Sequence, residues 1–140
     1  MICEDMWRTN VSKLLIKDKA DFFICINASP YDYKKELFRK KAALKVIKMS
    51  RKPLIYINQI GGQDELVFDG NSFVLDSKGE LIDKLQPWKE ELKIVEFIVK
   101  KNNNIEFIKS KVMPSREKNF HTWSALVLGL KDYVRKNSFR

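Results

Sequence analysis

Apolar residues fall along the first half of the chain in unbroken runs of strand length, with segments of helical period between them. Residues 22–26 read Phe-Phe-Ile-Cys-Ile and residues 54–57 read Leu-Ile-Tyr-Ile before Asn58, the pattern of strands buried on both faces. Between them, Leu37, Leu44 and Ile47 fall on one helical stripe with Phe38, Ala42 and Met49 beside it. This spacing predicts an amphipathic helix over residues 34–52, stopped by Pro53. Asn27-Ala28-Ser29-Pro30 is the loop that leads into that helix, because the proline cannot extend a central strand. Upstream, Ile2-Cys3 reads as the end of another strand, and Asn10 as the cap of a short helix through about Lys17. Two strand–helix–strand units in a row predict an α/β fold.

Past Gly61-Gly62 the period changes. Residues 66–68, 72–75 and 81–84 are short strands, the last two joined by the turn Asp76-Ser77-Lys78-Gly79, and together they predict a meander. Residues 92–99 read as one more strand. Residues 100–118, with Asn102-Asn103-Asn104 and Pro114, read as a polar connector of the kind that leaves one domain for another. A final helix over residues 120–136 places Trp123, Leu126, Val127, Leu130, Tyr133 and Val134 on one face, with few residues here to bury them.

Composition narrows the class. At 140 residues, with 44% hydrophobic and 32% charged residues, the chain has the makings of one globular domain rather than a disordered segment. Cys3 and Cys25 form no spaced framework, and a single His121 leaves no Cys/His cluster for zinc. The first residues carry an acid where a secretory signal is basic, and no apolar run approaches the roughly 20 residues of a membrane span. A cytoplasmic location and no membrane partner are therefore expected. The net charge of +9 is concentrated in residues 34–52, where nine Lys or Arg residues face one acid, Glu36. With no nucleic-acid-binding motif in the chain, this reads as the solvated face of an amphipathic helix, and no nucleic-acid partner is expected.

Local strings are more specific than the pattern. Cys3-Glu4-Asp5-Met6-Trp7 follows an apolar residue; Asn27-Ala28-Ser29-Pro30-Tyr31 precedes Lys35; and Asn58-Gln59-Ile60-Gly61-Gly62-Gln63-Asp64-Glu65-Leu66-Val67-Phe68-Asp69-Gly70 runs on into Ser72-Phe73-Val74. With residues 125–137 of the last helix, these strings resemble the back half of the glutaminase domain of glutamine-dependent NAD(+) synthetases, a nitrilase-type carbon–nitrogen hydrolase module. The resemblance implies a fold class of α/β, a partial nitrilase-like αββα sandwich (half-domain) with a C-terminal linker helix. It divides the chain into residues 1–99 of the glutaminase domain, a connector over 100–119, and a helix over 120–140 leading into a synthetase domain.

By the same resemblance Cys3 is the nucleophile, attacking the amide carbon of glutamine, and Ser29 and Lys35 are glutamine-binding, with Glu4 and Arg39 as further candidates. Each has a plainer alternative. A cysteine near a strand end is often a small buried hydrophobe, Ser29 before Pro30 is a turn residue, and Lys35 and Arg39 are two more solvated cations of a basic helix. Cys25 reads as core, and nothing is assigned to His121. Lys35 near a helix start is poorly placed for the helix dipole, which invites a reason such as an anionic partner.

In the resembled family a glutamate base and a lysine partner precede the cysteine, whereas only Met1 and Ile2 do here. The expectation is a chain that holds the nucleophile without the rest of its triad, inactive alone, with glutamine as substrate. Its expected partners are an upstream half, a synthetase domain, and further copies in a homo-oligomeric parent. ATP and Mg²⁺ are implied only for that synthetase domain, whose phosphate-binding loop would begin just past Arg140. Asp32 and Lys34 stand where the family carries His and Gly, which bears on the backbone of that loop. Two other classes fit less of the sequence: another nitrilase-superfamily amidohydrolase, and a non-catalytic basic binding protein.

Overall fold

In a computed structural model, which describes all residues except 102, 103, 111, 113, 115 and 140, the two apolar runs lie side by side. Strand β1 (Phe23–Asn27) pairs in parallel with β2 (Leu54–Asn58), setting Phe23 beside Leu54, Cys25 beside Tyr56 and Asn27 beside Asn58. Two antiparallel strands, β5 (Phe73–Leu75) and β6 (Leu81–Lys84), complete a four-stranded sheet in the order β1-β2-β5-β6. On the other side of β1, Ile2 makes a single parallel bridge to Ile26.

Helices α1 (Thr9–Lys17) and α2 (Lys35–Ser50) contribute to the core on one face of this sheet. That core joins Met6, Ala43, Val46 and Ile47 to Phe23, Cys25, Leu54, Tyr56 and Leu75. The opposite face is covered only in part. Ile24, Ile26 and Ile57 remain 40%, 58% and 42% exposed, so β1 and the far end of β2 are not buried on both faces as their composition predicts. Val74 and Ile82 on β5 and β6 do find cover, from Phe107 of a hairpin formed by β7 (Phe97–Val99) and β8 (Ile105–Phe107).

Several local expectations shift. The first helix begins at Thr9 after Arg8, so Asn10 lies inside its first turn rather than capping it. Helix α2 is rotated relative to its expected stripe. Arg39, Ala42, Ala43, Val46 and Ile47 face inward, while Leu37, Phe38 and Met49 are exposed, because the two alanines let the helix approach the sheet and Arg39 finds a buried partner. Only Phe97–Val99 of residues 92–99 is strand, and the segment read as a connector contains β8; Asn102 and Asn103 lie outside the described residues.

The meander divides. Strands β3 (Ile60–Gln63) and β4 (Leu66–Asp69) make a hairpin separate from the main sheet, and α3 (Lys118–Lys136) packs on it. Gly62 belongs inside β3 because the helix comes so close: a Cβ there would stand 3.1 Å from the Gly129 Cα. The Gly62 N–H donates to Asp132 Oδ2 at 2.7 Å, and Lys136 Nζ donates to the Gly62 carbonyl at 2.6 Å. Residues one helical turn apart thus hold both polar groups of one glycine. The other side of α3, with Trp123, Leu126 and Leu130, is 65–69% exposed. No helix among the described residues is long and apolar enough to cross a membrane.

Candidate functional site

Cys3 sits where the chain leaves the sheet. Ile26 N–H donates to the Met1 carbonyl at 3.1 Å, which holds the preceding residues beside β1, and Cys3 then opens a single 3₁₀ turn, Cys3–Met6. Its φ is 43°, in the left-handed region that a side chain enters at a cost of roughly 1–3 kcal/mol. Asp5 closes the turn from both sides, its carboxylate accepting the Ile2 N–H at 2.8 Å and its own N–H donating to the Ile2 carbonyl at 3.0 Å. The Cys3 thiol is free and partly exposed.

Cys3 therefore begins a turn rather than ending a strand, and Glu4 follows it within that turn. Glu4 is exposed, with Arg8 Nε donating to its carboxylate at 3.2 Å. Cys25 is completely buried, donates its S–H to Asn27 Oδ1 at 3.5 Å, and has its thiol pushed up by burial, consistent with a core residue.

Ser29 and Arg39 come together in the interior. Two asparagines at the ends of paired strands build the loop that carries Ser29. Asn27 Nδ2 ties the carbonyls of Cys25 and Ile57, and Asn58 accepts the Ser29 N–H at 2.8 Å while donating to the Ser29 carbonyl at 3.1 Å. Arg39, 1% exposed, then reaches across from α2. Its Nε donates to Ser29 Oγ at 3.1 Å, its Nη2 to the carbonyls of Ser29 and Pro30, and its Nη1 to Asp69 Oδ2 at 3.0 Å. The Arg39–Asp69 ion pair is buried on both sides. The reading of Arg39 as one more solvated cation is therefore wrong: it organises the Ser29 loop from beneath.

Lys35 is half-buried at the first position of α2, with Nζ 5.5 Å from the centre of the Trp7 ring, so it stands beside the turn that Cys3 begins. Cys3 and Lys35 thus share one neighbourhood, at Trp7, and Ser29 and Arg39 another, within the loop that precedes α2. Among the described residues no cluster of three or more His, Cys, Asp or Glu could hold a metal ion.

Sequence reading missed Asn27, Asn58 and Asp69 as builders of this site, and it missed the partners of His121. Trp88 Nε1 donates to His121 Nδ1 at 3.0 Å, and Tyr31 packs edge-on to Trp88 at 4.9 Å between ring centres. Burial is the main influence that holds the His121 imidazole below its usual value, against the pull of Glu36 and Asp69. One signal was available. Arg39 lies three and four residues before Ala42 and Ala43, on the buried side of the helix, and a buried arginine requires a buried acid.

This arrangement of sheet and helices has known counterparts. A carbon-nitrogen hydrolase family model matches residues 1–101, and the chain belongs to that family. Within it, the chain is similar along 99% of its length to glutamine-dependent NAD(+) synthetases. It is 34% identical over 139 residues to that of Acinetobacter baylyi and 32% identical over 149 residues to that of Synechocystis, covering 25% and 26% of those proteins. Its fold matches the structure of glutamine-dependent NAD+ synthetase from Acinetobacter baumannii in complex with ADP, with a TM-score of 0.85 and 34% identity over 96% of this chain and 25% of that one. The chain spans about a quarter of the length of these relatives.

Proposed function

We propose that this chain is the nucleophile-bearing part of a glutaminase domain in a glutamine-dependent NAD(+) synthetase. In this reading Cys3 attacks the side-chain amide of glutamine through its thiolate, the amide carbon passes through a tetrahedral intermediate, and ammonia leaves. Water then hydrolyses the resulting thioester to glutamate and restores the thiol. The whole protein would use the ammonia to amidate deamido-NAD with ATP and Mg²⁺ in its synthetase domain. Residues 1–99 would belong to the glutaminase, 100–119 would join it to the next domain, and 120–140, which carry most of α3, would lead into that domain.

The observation that carries the proposal is Cys3 itself. A cysteine kept at φ 43° in a braced turn, partly exposed, is conformationally expensive, and residues that pay such a cost cluster where chemistry needs one geometry. Ser29 and Lys35 are assigned to the glutamine α-groups, with Lys35 meeting the carboxylate. Arg39 and Asp69 act through Ser29 as positioning residues. Glu4 keeps a lesser place in the assignment, at the mouth, since it already pairs with Arg8.

The 140 residues alone are expected to release no ammonia from glutamine, and a polypeptide supplying the upstream glutamate and lysine is expected to restore activity. In that complemented protein, a glutamine analogue carrying an electrophile at the amide position labels Cys3 and spares Cys25, and glutamine protects against it. Equal labelling of both cysteines, or no protection, refutes the assignment. Lys35→Ala is expected to raise the KM for glutamine by at least about tenfold with a smaller change in kcat, since truncating one partner of a charge pair costs on the order of 2–5 kcal/mol. An unchanged KM removes Lys35 from the site.

A further inference from the structure

Beside Asp69 lies a cavity of about 220 Å³ whose lining includes none of Cys3, Glu4, Ser29, Lys35 or Arg39. It is smaller than the roughly 300–1,000 Å³ typical of sites for drug-sized molecules, so its natural occupant is small. In its wall is a buried acceptor with nothing to accept. Asn71 is 4% exposed, and its Nδ2 donates to Glu36 Oε2 at 2.9 Å. Burial opposes the charge on Glu36, but hydrogen bonds from Lys84 and Asn71 outweigh it and hold the carboxyl below its usual value. An ionised carboxylate only accepts, so the Asn71 amide cannot be turned round, and its Oδ1 finds no hydrogen-bond partner among the described residues. A buried acceptor stranded in this way is costly, and a ligand bearing N–H groups would satisfy it.

The rest of the lining fixes the charge of that ligand. Three acids line it: Glu36 and Asp69, each paired with one cation, Lys84 or Arg39, and the exposed Asp32. Two exposed cations stand on the outer side: Lys118, with Nζ 5.0 Å over the Tyr33 ring, and Arg116, with Cζ 5.4 Å over Phe120. A simple cation would meet Lys118 and Arg116, and a simple anion would meet the carboxylates. A molecule with an ammonium at one end and a carboxylate at the other satisfies both.

We propose that this cavity binds a small zwitterion of the α-amino acid class. The ammonium donates to Asn71 Oδ1 beside Glu36 and Asp69, and the carboxylate meets Lys118 and Arg116. The site is separate from the cysteine chemistry, although Asp69 belongs to its lining and also holds Arg39 beneath the Ser29 loop.

Equilibrium dialysis of the full chain against radiolabelled L-glutamate tests this, with glutarate and butylamine as controls that carry one kind of charge each. Saturable uptake of the amino acid is expected, with affinity for either control at least about tenfold weaker, as the loss of one charge-assisted contact implies. Lys118→Ala and Asn71→Leu are each expected to weaken binding by a similar factor. Lys118 is exposed, so its variant keeps the fold, verified by circular dichroism, even where Asn71→Leu does not. Binding is expected to persist in Cys3→Ser and in Lys35→Ala. Absence of saturable uptake, equal affinity for glutarate, or binding lost in Lys35→Ala but not in Lys118→Ala each overturns the proposal. The last result would place the amino acid in the cysteine site instead. Failure here with Cys3 labelling intact leaves the proposed function standing.

Discussion

The two faces of the main sheet are made from alternate residues of the same strands, yet only one is finished. Under α1 and α2, Phe23, Cys25, Leu54, Tyr56 and Leu75 are each at most 1% exposed. One residue along, Ile24, Ile26 and Ile57 look outward at 40–58% exposure. Side chains of a strand alternate between faces, so an unbroken apolar run is a demand for cover on both. The helices meet half of that demand. The β7–β8 hairpin meets part of the rest near Val74 and Ile82, and the isoleucines of β1 and β2 are left with a contiguous apolar surface of the kind that marks a contact site. In the resembled αββα sandwich a second sheet lies there.

The sharpest way to break this comparison is the buried ion pair that joins α2 to the hairpin side of the fold. Arg39→Ala leaves Asp69 buried and uncompensated, and is expected to cost about 3–5 kcal/mol, read from urea denaturation. Arg39→Lys restores the charge but not the fork that reaches Ser29, Pro30 and Asp69 together, so it should recover only part of the loss. A loss below about 1 kcal/mol for Arg39→Ala would show that the pair does not organise the loop.

Next in size is a matched pair of truncations. Leu54→Ala on the covered face is expected to cost about 2–5 kcal/mol, because a cavity remains in a packed core. Ile57→Ala on the open face should cost less than about 1 kcal/mol, because that side chain is already partly in water. Equal costs would mean that the open face is covered in solution, and the comparison would then turn on what covers it.

Self-association is one cover that can be measured directly. The isolated chain is expected to form oligomers whose size grows with concentration, seen by sedimentation velocity, because the isoleucine face and the Trp123 side of α3 are both available. Ile26→Lys combined with Ile57→Lys should shift the distribution toward monomer while changing stability little. A monomer with a sharp, concentration-independent melting transition would show that the chain completes its own core.

The order of elements was legible because each carries its own period and its own punctuation, such as Pro30, Pro53 and the Asp76–Gly79 turn. Facing was harder to read. The α2 stripe was misassigned because Arg39 looks polar by itself, and only the distant Asp69 makes it a core residue. The place of Gly62 inside β3 was not legible, since the approach of Gly129 from residues far along the chain is invisible locally. Ser29 and Cys3 were found through their strings, whereas Asn58 fixes the Ser29 loop by a pair of side-chain bonds that no local pattern announces.

The smallest expected effect is with pH. His121 is held neutral in the folded protein by burial and accepts a hydrogen bond from Trp88, so its folded value lies below the 6.5 of a free histidine. The unfolded chain then binds the proton more readily, and stability falls as pH drops below about 6.5 and on through the folded value. His121→Gln should flatten that part of the stability–pH curve. An unchanged slope would mean that the Trp88–His121 bond is not made in solution.

The central claim is that Cys3 is the nucleophile of a glutaminase completed by upstream residues. Its most direct test is ammonia release from glutamine, measured for the chain alone, for the chain with an upstream polypeptide that supplies the glutamate and lysine, and for that pair with Cys3→Ser. Release is expected only from the second. Release from the chain alone, or release that survives Cys3→Ser, would contradict it.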